Sequence, residues 1–161
     1  MRIKIILITA LFLLISPTMK TETKYVSNAV ETQIEITYKL LYDQIINLGI
    51  KFPKVVLAQA ILETGHFKSV LFMNHNNLFG MKLPTKRETV AIGRVKNGYA
   101  TYSSWEDSVI DYFLWQNYML RTKKDFTEKQ YLEFIGKIYA TDPRYLTKVE
   151  EKMKLYGHLV K

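Results

Sequence analysis

Pro53-Lys-Val-Val-Leu-Ala-Gln-Ala-Ile-Leu-Glu-Thr64, followed by Gly65 and His66, constrains this chain more than any other stretch. Proline suits a first helical turn and glycine the position just past a helix end, so the segment is predicted to be one helix. Apolar residues fall on nearly every side of it, which marks a helix buried all round. Its last turn carries a single carboxylate, Glu63, and no other Asp or Glu lies between Asp43 and Glu88. An isolated acid on a buried helix that opens into a polar loop suits a proton donor with a raised pKa. On position alone, Glu63 reads equally well as a helix-end residue reaching solvent.

A helix of this kind needs a body to bury it, and 161 residues suffice for one domain with one core. With 48% hydrophobic and 13% aromatic residues, the composition excludes a disordered chain. The N-terminus reads differently: a basic start at Arg2 and Lys4, an apolar run from Ile5 to Ile15, then Ser16, Pro17 and Thr18. That is the form of a secretory signal. The run is short for a bilayer span, which takes roughly 20 apolar residues; an uncleaved anchor is the competing reading. Residues 1–20 are therefore expected to be a signal peptide, 21–31 a linker or extension, and 32–161 the folded domain. Loss of residues 1–20 removes Arg2, Lys4 and Lys20 and no acid, lowering the net charge from +8 to +5.

A modestly basic exported protein, in the periplasm or at the cell surface, fits an anionic extracellular partner such as a wall polymer. Nucleic acid is not expected, because no basic run or basic-aromatic motif occurs. Nor is stable membrane insertion after signal removal, and a monomer is expected. The absence of cysteine excludes disulfides, thiol chemistry and thiolate metal sites.

Several further elements are legible. Thr32-x-x-Glu35 has the form of a capping box, followed by Ile34, Tyr38, Leu41, Ile45 and Leu48 at helical spacing up to Gly49. Residues 67–72 read as a continuation of the central helix, and Asn74-His75-Asn76-Asn77 as a loop. Glu88–Val95 and Tyr99–Tyr102 are rich in strand formers, and Asn97-Gly98 between them is a two-residue hairpin signal. Ser104-x-x-Asp107 and Thr127-x-x-Gln130 cap two more helices, the first carrying Trp105 and a core Trp115. Asp142-Pro143 starts a last one, with Tyr145, Val149, Met153 and Tyr156 on its apolar side. The fold class expected is mainly α, with a small two-stranded β-lobe beside a cleft.

Four segments, in order, carry a family resemblance: Ala58-Gln-Ala-Ile-Leu-Glu-Thr-Gly65, Asn77-Leu-Phe-Gly-Met-Lys82, Tyr99-Ala-Thr-Tyr-Ser-Ser104 and Tyr139-Ala-Thr-Asp-Pro-Arg-Tyr145. Over about residues 36–157 the chain resembles the peptidoglycan glucosaminidases of glycoside hydrolase family 73. The resemblance implies a lysozyme-like fold and cleavage of the β-1,4 bond after N-acetylglucosamine in bacterial cell-wall glycan. It also implies that Glu63, at the motif glutamate, is the general acid. Chemistry agrees, since glycoside hydrolysis near neutral pH needs a carboxyl kept protonated, and burial keeps it so. Lysozyme is the standing example of two carboxyls separated in this way.

Glu88, the first acid after Glu63, is the candidate second carboxylate; an exposed hairpin charge is the alternative. Carboxyls about 5 Å apart retain configuration and those roughly 6.5–9.5 Å apart invert it. A larger separation leaves attack by the sugar's own acetamido oxygen, with Tyr139 of the Tyr-Ala-Thr-Asp motif steadying the intermediate. Asp142 reads as a helix cap. Asn77, Phe79, Tyr99 and Tyr102 are sugar-binding candidates, as is Trp105, with core packing the alternative for the rings. His66 is expected to line the cleft. His66 and His75 alone do not make a metal site, and no metal or cofactor is expected. A muramidase of the same fold, and a module that binds peptidoglycan without cutting it, are the competing functions.

Overall fold

A computed structural model describes residues 36–123, 125–139 and 142–158. The expected signal peptide, the linker and the Thr32–Glu35 capping box lie outside the described residues. Six helices and one two-stranded sheet occur among those described: α1 Tyr38–Asn47, α2 Pro53–Thr64, α3 Val70–His75, β1 Gly93–Arg94, β2 Ala100–Thr101, α4 Trp105–Leu120, α5 Glu128–Tyr139 and α6 Tyr145–Tyr156.

The central helix is α2, bounded by Pro53 and by a left-handed Gly65 (φ 54°) whose N–H reaches the carbonyls of Ile61 and Leu62. From Val55 to Ile61 every side chain is buried, and Thr64 is buried as well. Burying a Val, Leu or Ile side chain contributes about 1.5–3 kcal/mol, so the apolar girdle of α2 sets the core. It packs chiefly against α6 and α1. Leu41 and Ile45 of α1, Val149 of α6 and Ile135 of α5 close the core around it, all 0% exposed.

Local signals act as expected at two helix starts. Ser104 Oγ accepts the Asp107 N–H at 3.2 Å. Thr127 and Gln130 form a reciprocal box, with Gln130 N–H on Thr127 Oγ1 at 3.2 Å and Thr127 N–H on Gln130 Oε1 at 2.8 Å. Helix α1 starts at Tyr38, capped by Thr37, whose hydroxyl accepts the Leu40 N–H at 3.1 Å.

Other boundaries differ from expectation. Residues 67–72 do not continue α2: three successive left-handed residues, Gly65, His66 and Phe67, break the chain direction, and Ser69 caps a separate α3. Asn74 and His75 belong to α3, because the left-handed turn that ends it falls at Asn76 (φ 54°). The strands are shorter than the run of strand formers, since only Gly93 and Arg94 pair, with Thr101 and Ala100. Their connection includes Lys96 as well as Asn97 and Gly98, the last two at φ 72° and 82°. Glu88 precedes the sheet rather than starting it. On the other side of β2, Met81–Leu83 adds an edge through a Lys82–Tyr99 bridge and an Ala100 N–H to Met81 carbonyl bond of 2.9 Å. The Asp142-Pro143 start is offset as well. Asp142 Oδ1 accepts the Arg144 N–H at 2.8 Å, and regular helix begins at Tyr145.

Candidate active site

Glu63 sits in the last turn of α2, where that helix emerges from the core. Thr64 locks this end: its hydroxyl donates to the Ala60 carbonyl at 2.6 Å and accepts the Phe67 N–H at 2.9 Å. The positive φ of His66 and Phe67, both 64°, is sparsely populated backbone for side-chain-bearing residues. Such strain collects where surrounding structure over-determines the chain, at functional sites above all.

Two elements meet the carboxyl. From α6, the Tyr145 hydroxyl donates to Glu63 Oε1 at 3.0 Å. From the Asn77–Met81 turn, Gly80 faces the other oxygen, where a Cβ would stand 3.5 Å from Glu63 Oε2. Gly80 also has φ +61°, so it is the backbone shape that asks for glycine, while a Cβ there would only reach ordinary contact with the carboxyl. Burial raises the Glu63 pKa above its ordinary value, and the Tyr145 hydrogen bond pulls against that rise. Burial also raises the Tyr145 hydroxyl, as does the neighbouring Glu63 charge, so it stays a donor at neutral pH.

The Asn77–Met81 turn is shaped by Asn77 itself. Its amide nitrogen donates to the carbonyls of Met81 and Ala100, each at 2.9 Å, and its oxygen accepts the Met81 N–H at 3.0 Å. Asn77 is 1% exposed and both of its N–H bonds are committed, so it places Gly80 against Glu63 and has no donor left for a sugar. Phe79 is fully buried against Tyr112, ring centroids 4.3 Å apart, and offers a sugar no face. Tyr102 is likewise inside; its hydroxyl donates to Asp111 Oδ2 at 2.8 Å. Tyr99 is half-buried, with the Lys82 ammonium 5.8 Å from its ring centroid. Trp105 opens α4 half-buried against the core.

His66 is half-buried and both ring nitrogens are engaged: Nδ1 with the Tyr38 hydroxyl at 2.6 Å and Nε2 with Lys152 Nζ at 3.3 Å. Burial, then the charges of Lys152 and Lys68, lower its pKa and so favour the neutral ring. Glu88 is exposed, and Arg87 donates to its backbone carbonyl at 2.7 Å. It borders a shallow groove formed with Thr85, Lys86, Arg87, Leu114, Asn117 and Tyr118, a lining that does not include Glu63. Tyr139 ends α5, and its side chain lies outside the described residues.

Sequence reasoning assigned no chemical task to Tyr145, Gln59, Gly80 or Asp111. Gln59 carried a signal, being the one polar residue between Lys54 and Glu63 on an otherwise apolar helix. Tyr145 closes the fourth motif, but its spacing to Val149 and Met153 is that of a core face, which hid its contact with Glu63.

The glucosaminidase family, mannosyl-glycoprotein endo-beta-N-acetylglucosaminidase, matches residues 40–158, and the chain, a helical body with a short antiparallel sheet, belongs to it. The chain is similar to Protein bax of Escherichia coli strain K12, at 47% identity over 58 residues. That stretch covers 36% of this chain and 21% of the relative, so about one fifth of the relative's length is matched. The fold is similar to the catalytic domain of the autolysin Auto from Listeria monocytogenes, with a TM-score of 0.52 and 21% identity over 88% of this chain and 97% of that one. A C-terminally truncated glycoside hydrolase domain of Salmonella typhimurium FlgJ gives 0.49 and 22% identity over 75% and 93%.

Proposed function

We propose that this protein hydrolyses the β-1,4 glycosidic bond after N-acetylglucosamine in bacterial peptidoglycan, outside the cytoplasm, for wall remodelling or autolysis. Glu63 is the general acid. The observation that carries the reading is its carboxyl, isolated from other acids in the sequence, half-buried and raised in pKa at the end of the central helix. A protonated carboxyl gives its proton to the glycosidic oxygen as the bond to the anomeric carbon breaks, and the sugar leaves as a neutral alcohol. The Tyr145 hydrogen bond holds one carboxyl oxygen in place, which limits the rearrangement needed at the moment of transfer.

The second catalytic group is proposed to be Glu88 or, with the substrate's acetamido oxygen as nucleophile, Tyr139. The exposure of Glu88 weakens the first option. The half-buried Tyr99 remains a proposed sugar contact, while Asn77, Phe79 and Tyr102 act through the shape of the lobe. The matched family, and the autolysin named above as a fold relative, support peptidoglycan as substrate.

The test is digestion of purified sacculi with mass identification of the new reducing ends. N-acetylglucosamine at the ends is the expected result. N-acetylmuramic acid would reassign the protein as a muramidase, and tight wall binding with no new ends would make it a binding module.

A further inference from the structure

Behind Glu63 a line of hydrogen-bonded polar side chains runs through the core. Its far end is the joint between α1 and α2, where the Gln116 amide oxygen accepts the Lys51 N–H at 2.8 Å and its nitrogen donates to the Lys51 carbonyl at 2.9 Å. The same nitrogen donates to the Tyr131 hydroxyl at 3.0 Å. Tyr112 donates to Gln59 Oε1 at 2.5 Å, so its oxygen receives the Tyr131 proton across 2.6 Å. Gln59 Nε2 donates to the Tyr145 hydroxyl at 3.2 Å, and Tyr145 donates to Glu63. Gln59, Tyr112, Tyr131 and Gln116 are all 0–1% exposed. Among the described residues, no buried side-chain nitrogen or oxygen lacks a partner.

Every bond from Gln116 onward is donated toward the same carboxylate. Hydrogen bonds in a low-dielectric interior polarise one another, so each link strengthens the next. A donor on a carboxylate favours its charged form, against the effect of burial. We propose that Tyr145, aimed by Gln59, is a positioning residue that sets how strong an acid Glu63 is, and that the buried line fixes Tyr145 from the start of α2. The inference deepens the reading of Glu63 as general acid and rests on it.

The surroundings are compatible. From α6, Tyr145 is the titratable group bonded to the carboxyl, and Tyr131 of α5 acts on Tyr145. Gly80 brings no charge. His66 of the following turn is engaged with Tyr38 of α1 and Lys152 of α6, with Lys68 also acting on it. At the entry to α6, Lys148 is paired with Asp142 at 2.6 Å.

The test uses Tyr145→Phe, Gln59→Met and the double variant, each checked for folding by near-ultraviolet circular dichroism. The first readout is the pH titration of the Glu63 side-chain carboxyl carbon by NMR in protein without substrate, which needs no activity. The second is the pH profile of kcat/KM on sacculi. A general acid must be protonated, so activity falls as pH rises through its pKa. Loss of the Tyr145 hydroxyl removes a donor to the charged form. Titration and alkaline limb should then move up together by about half a pH unit or more. Gln59→Met should move them the same way by less, and add nothing once Tyr145 is Phe. An unchanged Glu63 titration in folded Tyr145→Phe overturns the proposal, and that variant alone decides if Gln59→Met does not fold. A shifted titration with activity indifferent to Glu63→Gln would instead keep the coupling and remove the catalytic role.

Discussion

Arg87→Met should unfold this protein more readily than any surface change, because it strands a buried charge. Arg87 and Asp111 meet side by side, Nη1 to Oδ1 and Nη2 to Oδ2, both at 2.8 Å. Their side chains are 6% and 0% exposed. The pair ties the segment before the sheet to α4, and Tyr102 adds a third bond from the far side. Burial works against the Asp111 charge, but hydrogen bonds from Arg87, Thr89 and Tyr102 outweigh it and hold the carboxyl below its usual range.

Breaking a buried pair from one side costs about 3–5 kcal/mol, since the remaining charge has neither water nor counter-charge and keeps only the Thr89 and Tyr102 hydrogen bonds. For the roughly 125 residues from Ile36 to Lys161, an unfolding entropy of about 2.1 cal/mol/K each gives about 0.26 kcal/mol/K. The melting temperature should then fall by about 11–19 °C at pH 7. Asp111→Asn in the same chain should recover part of the loss, since Asn keeps an acceptor for Tyr102 and carries no charge. The sign with pH is opposite in the two proteins. In the wild type, the lowered Asp111 pKa contributes stability above the unfolded value, lost as pH falls through the folded one. In Arg87→Met burial is opposed only by the Thr89 and Tyr102 hydrogen bonds, so that pKa moves up, acid protonates Asp111 more readily and the deficit narrows. Differential scanning calorimetry between pH 4 and 8 reads all three effects. A fall under about 3 °C, or the same fall with Asn at 111, would refute the reasoning.

Two smaller changes test the frame around Glu63. Gly80→Ala puts a methyl 3.5 Å from Oε2 on a left-handed backbone, at about 1–2 kcal/mol in urea denaturation. It should also move the alkaline limb of activity upward by desolvating the carboxyl further. Ser104→Ala removes the cap of α4 and should cost about 1 kcal/mol by the same assay, with kcat/KM within twofold.

What could be read from the sequence was what short stretches determine alone. The proline, the apolar girdle and Gly65 define α2 wherever the rest of the chain goes, and the caps at Ser104 and Thr127 are likewise four-residue affairs. Residues 74–75 misled because Asn and His suit a helix's last turn as well as a loop, and only the left-handed Asn76 decides between them. The buried line was illegible for a different reason. Gln59 meets Tyr112 across 53 positions and Tyr145 across 86, distances over which no periodicity carries information. Asn77 and Tyr102 looked like sugar ligands because polar and amphipathic side chains suit a groove. They suit a small lobe with no large core equally well, because hydrogen bonds to Met81, Ala100 and Asp111 substitute there for apolar burial.

Glu63→Gln is the most direct trial of the account. Gln keeps the shape and an oxygen for the Tyr145 hydroxyl, and it cannot give a proton. Release of new reducing ends from sacculi should drop by at least about a hundredfold. Because the folded-state pKa of Glu63 is raised, its charged form costs stability once pH exceeds the unfolded value. The melting temperature of the variant at pH 7 should therefore be equal or higher. A folded variant that keeps more than a tenth of wild-type turnover would contradict the account.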